Sequence, residues 1–112
     1  MSQICTTIEQ SKRLMIAGVK RQTADMSHRA RRAIAFEKDE NGRWWPQKGT
    51  PVNLIASKPS CELDVPAWSL SALWDLLAES NITLEYATNK PSEVLIEYLV
   101  TMIERFAKQG RI

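Results

Sequence analysis

The run His28-Arg29-Ala30-Arg31-Arg32 is the densest concentration of interacting side chains in this chain of 112 residues. Guanidinium groups suit phosphate, which accepts their paired N–H donors. Trp44 follows on a predicted sheet face turned away from the core, where an unpaired base could stack on it. Arg29, Arg31, Arg32 and Trp44 are therefore the candidate interaction residues. His28 is the sole histidine. It limits Ser–His or Cys–His catalysis to one residue and rules out a histidine-rich metal centre. Within so polar a run it reads as a surface residue.

Other reactive chemistry is sparse. Glu62 and Asp64 would share one face of a strand, yet nothing nearby would raise one carboxyl and lower the other, as acid–base catalysis requires. Asp64 with Asp75 fares no better. Cys5 and Cys61 are too far apart in sequence for a metal-ligand pair and too few for a disulfide framework. They read as reduced thiols of a cytoplasmic protein. The glycines at 18, 42, 49 and 110 are dispersed, and no phosphate loop, dinucleotide fingerprint or HExxH pattern occurs. The expectation is a protein that is not an enzyme and uses no metal and no cofactor.

Charge is unevenly distributed. Residues 1–32 carry seven Lys/Arg against Glu9 and Asp25, whereas residues 61–112 carry four basic and eight acidic residues. A basic front and an acidic back permit contact with a polyanion or head-to-tail contact between copies. The overall pI of 8.7 lies below that expected of a dedicated nucleic-acid-binding domain. The longest mainly apolar stretch, residues 94–100, is far short of the roughly 20 residues a membrane span needs. The first residues have neither the basic start nor the apolar run of a signal peptide. A cytoplasmic protein without membrane attachment is expected.

The elements that must position these residues can be read in order. Thr6-Thr7-Ile8-Glu9-Gln10 offers two overlapping capping boxes, Thr6 with Glu9 or Thr7 with Gln10. The helix that follows would bury Ile8, Leu14 and Met15 and stop at Gly18. Thr23-Ala24-Asp25-Met26 could start a further helical turn. Asn41-Gly42 predicts a two-residue type I′ hairpin turn, with Glu40 opposite Arg43, Asp39 opposite Trp44 and Lys38 opposite Trp45. Ile34, Phe36 and Trp45 would then face the core, and Trp44 the other side with Ala33 and Ala35. Pro46 ends that strand. Short strands are predicted at residues 52–55 and 62–65.

Ser69 is placed to cap a helix, with Trp68 and Leu73 at the two positions of a hydrophobic staple. Leu70, Leu73, Trp74 and Leu77 form its apolar face. Ile82-Thr83-Leu84-Glu85-Tyr86 alternates as a strand with Ile82, Leu84 and Tyr86 inward. The last helix would be capped by Asn89 with Pro91 in its first turn. It would bury Leu95, Leu99, Met102, Ile103 and Phe106, with Val94, Ile96, Tyr98 and Val100 widening the face, and would end at Gly110. Helices and strands do not alternate strictly. The fold class is therefore α+β, a single domain over residues 1–112 in which three helices pack mainly on one face of a small, mostly antiparallel sheet.

Thr23-Ala24-Asp25-Met26, the block Pro66-Ala67-Trp68-Ser69-Leu70-Ser71-Ala72-Leu73 and the ending with Gly110 and Ile112 carry a resemblance. Together they resemble a group of small uncharacterised proteins of gut bacteria associated with phage-like or mobile elements. The likeness spans most of the chain in outline, with residues 66–73 as its specific motif. It implies an intracellular bacterial protein of one α+β domain and assigns no activity and no catalytic residue. The resulting expectation is a non-enzymatic accessory protein that self-associates or binds a protein partner, motivated by the broad apolar last helix and by Trp44. The alternative is a nucleic-acid-binding module using Arg29, Arg31 and Arg32 for phosphates and Trp44 for stacking.

Overall fold

A computed structural model describes residues 3–30, 36–84 and 91–112. Helix α1 (Ile8–Ala17) leads through a 3₁₀ turn (Arg21–Thr23) into strands β1 (Met26–Ala30), β2 (Phe36–Lys38), β3 (Trp44–Pro46), β4 (Val52–Ile55) and β5 (Val65–Ala67). Helices α2 (Leu70–Glu79) and α3 (Ser92–Lys108) follow. The architecture is α+β, and every strand pairing is antiparallel. The strands form two sheets: β1 sits between β4 and β5 in the first, and the β2–β3 hairpin is the second. No helix among the described residues is long and apolar enough to cross a membrane.

Helix ends follow local chemistry. Thr7, not Thr6, caps α1: its hydroxyl accepts the Gln10 N–H at 3.1 Å, and the Gln10 side chain accepts the Thr7 N–H at 3.0 Å. Thr6 is fully buried instead, with its Oγ1 bonded to Ser11 Oγ and accepting the Trp68 N–H. Ser69 caps α2 by accepting the Ala72 N–H. Helices α1, α2 and α3 terminate in one motif, in which a left-handed residue lets the next N–H return to the final turn. Val19 donates to Leu14 O, Ile82 to Leu77 O and Arg111 to Phe106 O, each 2.9–3.0 Å. The left-handed residues are Gly18, Asn81 and Gly110.

The motif at the end of α2 explains a correction. Residues 82–84 form no strand, because Ile82 closes the end of α2 and buries its side chain there; Glu85 and Tyr86 lie outside the described residues. Helix α3 begins one residue after Pro91, and Asn89 also lies outside the described residues. Two further expectations shift. Thr23 ends the 3₁₀ turn instead of starting a helix, and Ala24 and Asp25 lead into β1 at Met26. β1's buried position is Ser27, whose hydroxyl donates to Ser57 O at 3.0 Å, so apolar alternation is missing. Strand β5 starts at Val65 because Asp64 closes a turn over residues 60–64. Pro66 lies in this edge strand opposite Ser27, where an absent N–H is tolerated.

The core gathers Leu14, Trp68, Leu73, Leu77, Ile96, Leu99, Val100 and Ile103, all essentially inaccessible to solvent. Helix α3 packs against both α1 and α2. Its buried stripe is therefore Ile96, Leu99, Val100 and Ile103, with Leu95 and Phe106 half-buried beside it. Arg13 of α1 ties the helices together, donating to both Glu97 oxygens at 2.8 and 2.9 Å and to Glu104 at 3.1 Å.

Candidate binding site at the tryptophan hairpin

The β2–β3 hairpin pairs Phe36 with Pro46, Glu37 with Trp45 and Lys38 with Trp44. This register differs by one residue from that of a type I′ Asn-Gly turn. The reason lies in Asp39, whose Oδ1 accepts the N–H groups of Asn41 at 2.8 Å and Arg43 at 2.9 Å. Asn41 consequently stays out of the left-handed region, and only Gly42 enters it, at φ +79°. Asp39 N–H donates to Arg43 O and Gly42 N–H to Asp39 O. The result is the three-residue loop Glu40-Asn41-Gly42, with glycine at the position that demands positive φ.

A one-residue slip exchanges faces. Residues paired across the hairpin share a side, so Phe36, Lys38, Trp44 and Pro46 form one face and Glu37 and Trp45 the other. Phe36 thus accompanies Trp44, not Trp45. Trp45 is buried at 4% exposure and donates its indole N–H to Asp39 Oδ2 at 2.8 Å. That indole bond, joined by the Arg43 N–H, holds the Asp39 carboxyl below its ordinary range.

Trp44 is half-buried, with Lys38 Nζ 5.2 Å from its ring centre. Lys12, from α1, stands 5.8 Å from the ring centre of Trp45. Between the hairpin and the body runs a cleft of about 190 Å³ whose walls include Arg21, Arg43, Trp44, Trp45 and Glu62. Arg21 donates to the carbonyl of Cys61, which fixes one wall. Among the described residues, ion pairs engage Arg13, Arg29 and Lys108, and none engages Lys12, Arg21, Lys38 or Arg43. Four cations therefore surround two tryptophans, among carboxylates that include Glu62 of the cleft wall and Asp39 on the Trp45 indole. Such a surface attracts anions electrostatically and offers an aromatic plane beside them.

The residues singled out from sequence have separate fates. Arg29 lies in β1, where its Nη2 donates to Ser57 Oγ at 3.2 Å and to Lys58 O at 3.3 Å. Its Nε stands 3.2 Å from Asp64 Oδ2, at ion-pair distance without hydrogen-bond alignment. It belongs to a different sheet from Trp44 and holds the segment between β4 and β5. Arg31 and Arg32 lie outside the described residues. His28 is half-buried, with Nε2 3.0 Å from Thr6 O. A carbonyl only accepts, so Nε2 carries the hydrogen and the ring serves the fold.

Glu62 and Asp64 do not share a strand. Glu62 is exposed at the cleft and Asp64 is buried in its turn. Burial alone would push the Asp64 carboxyl up, but hydrogen bonds from Ser60 and Cys61 outweigh it and hold the group below the usual carboxylate range. No group of three or more His, Cys, Asp and Glu among the described residues is disposed to hold a metal ion. Of the cations around the two tryptophans, Lys38 lies on the hairpin itself, within reach of sequence reasoning, although the expected register set it opposite Trp45. Lys12 and Arg21 come from distant segments and carry no such signal.

Comparison of the chain with protein-family models, curated proteins and solved structures finds no match.

Proposed function

We propose that this chain is a non-catalytic binding protein that takes an anionic partner on its tryptophan hairpin. The observation that carries the reading is the set of four cations around Trp44 and Trp45, none ion-paired with a described carboxylate. Cations held only by ring or carbonyl contacts, with no carboxylate at ion-pair distance, remain available to an external anion. The apolar face of α3, which suggested a protein partner, is largely core: Ile96, Leu99, Val100 and Ile103 are all buried. A cytoplasmic setting is supported by two unpaired cysteines, Cys5 buried and Cys61 exposed.

The test uses labelled heparin as a generic polyanion, with fluorescence polarisation at roughly 50 and 200 mM salt. Binding at the lower salt should weaken steeply at the higher, and K38A/R43A should weaken it further. Absence of binding at low salt, or full retention in the double variant, would overturn the proposal.

Self-association is a second reading, favoured by strand β4. Its outer edge is unpaired among the described residues, and residues 50–57 around it contain no charge. Edges of this kind pair with other strands unless charged side chains block them. Light scattering should then show a dimer that Leu54→Lys dissociates; a strict monomer removes this reading.

A further inference from the structure

We infer that the anionic partner of the tryptophan hairpin is single-stranded nucleic acid, a deepening that rests on the binding reading above. A polyanion without rings, such as heparin or an acidic peptide, would satisfy the cations but leave Trp44 unused. A duplex would also satisfy them, yet its bases are stacked inside the helix and unavailable. A single strand uses both features, because phosphates meet the cations while an unpaired base lies on the indole.

The placement of the groups supports this division. Trp44 occupies the half-exposed hairpin face beside Phe36 and Pro46, rather than the buried face that holds Trp45. Lys38, its cross-strand partner, already sits over the ring at 5.2 Å. A lysine stem is flexible, so a base can take its place on the ring while the ammonium swings to the adjoining phosphate. Arg43 follows the loop and Arg21 comes from the 3₁₀ turn, so cations from two separate segments line the cleft with the indole. Arg21 is held at the Cys61 carbonyl, which limits its wandering and lowers the cost of ordering it around a ligand.

Magnitudes distinguish the components. If all four cations each neutralise one phosphate, affinity for a single strand should fall with a log–log salt slope of about −3, near 50-fold between roughly 50 and 200 mM. Removing Lys38 and Arg43 should reduce that loss to about 7-fold. Stacking is uncharged, so Trp44→Ala should weaken binding about tenfold or more while leaving the salt slope unchanged. Trp44→Phe, which keeps an aromatic face, should recover part of the loss.

The experiment is fluorescence polarisation with a labelled oligonucleotide of about 12 nucleotides, single-stranded or annealed to its complement, alongside labelled heparin. Wild type, W44A, W44F and K38A/R43A are compared, and circular dichroism establishes that each variant is folded. The expected result is tighter binding of the single strand than of the duplex, with W44A affecting the oligonucleotide and sparing heparin. Heparin binding without oligonucleotide binding would overturn this inference while leaving the anionic-partner reading intact. Equal or tighter binding of the duplex would overturn it, as would equal loss of heparin and single strand in W44A. Binding of neither probe would remove both readings.

Discussion

Replacing Asp64 by Asn tests how the region behind the cleft is held together. The wild-type Oδ2 accepts three hydrogen bonds, from Ser60 N–H at 2.8 Å, Ser60 Oγ at 3.0 Å and Cys61 N–H at 3.3 Å. It also faces Arg29 Nε at 3.2 Å, the Asp64 side chain being 8% and the Arg29 side chain 34% exposed. Asparagine keeps the shape but loses the charge. Each hydrogen bond falls from charge-assisted to neutral strength, a loss of roughly 0.5–1 kcal/mol apiece. Arg29 loses its counter-charge, which water partly replaces because the guanidinium is one-third open; this adds less than about 1 kcal/mol.

The expected destabilisation from Asp64→Asn is thus about 3 kcal/mol, or about 12 °C in the unfolding midpoint of a domain this size. Urea and thermal unfolding, followed by tryptophan fluorescence and circular dichroism, measure it. Arg29→Ala should cost clearly less, because Asp64 retains its Ser60 and Cys61 donors. The pH dependence has a definite sign. A carboxyl held below its unfolded value contributes stability above that value, about 3.9, and loses it as pH falls through the folded one. The gap between wild type and variant should therefore be full at pH 7 and close as pH falls below about 4. An Asp64→Asn protein within about 0.5 kcal/mol of wild type at pH 7 would refute the reasoning, since surface substitutions lie in that range. Because this turn carries the Cys61 carbonyl that anchors Arg21, the variant should also weaken binding at the hairpin.

Three other outcomes follow from local geometry. Ser69→Ala removes the cap on Ala72 N–H and a hydroxyl donor to Asp25 and should cost about 1–2 kcal/mol in urea unfolding. Asn81 stands at φ +57° at the end of α2. Asn81→Gly should match wild type or exceed it by up to about 0.5–1 kcal/mol, while Asn81→Val should lose at least about 1 kcal/mol. The Cys5 thiol is pushed up to about 11 by burial and, secondarily, by the charge of Asp25, whereas Cys61 is exposed. Ellman's reagent at pH 8 should titrate one thiol rapidly and the second only in denaturant; two fast thiols would contradict the burial of Cys5.

Cap and stop signals hold, whereas the Asn41-Gly42 turn type and the strand expected from residue 82 do not. The Thr7–Gln10 box, the Ser69 cap and the helix stops at Gly18 and Gly110 each involve groups within a few residues, so their energetics are written in short segments. Residues 52–55 also read as the short strand that β4 is, and the order of elements marks the α+β class. Strand β1 was invisible because its place depends on partners far along the chain, Ile55 on one side and Pro66 on the other, with a serine rather than an apolar residue buried between them. The hairpin register turned on a single carboxylate, Asp39, reaching two backbone donors and an indole. That choice put Lys38 beside Trp44. The binding surface likewise exists only after folding: Trp44 was recognisable as an unexplained aromatic, but α1, the 3₁₀ turn and the hairpin had to converge to bring Lys12, Arg21 and Arg43 around the two rings. The same folding committed Arg29 to Asp64. Short-range hydrogen bonding is legible in sequence because its partners are neighbours; charge clustering is not, because its partners become neighbours only through long-range packing.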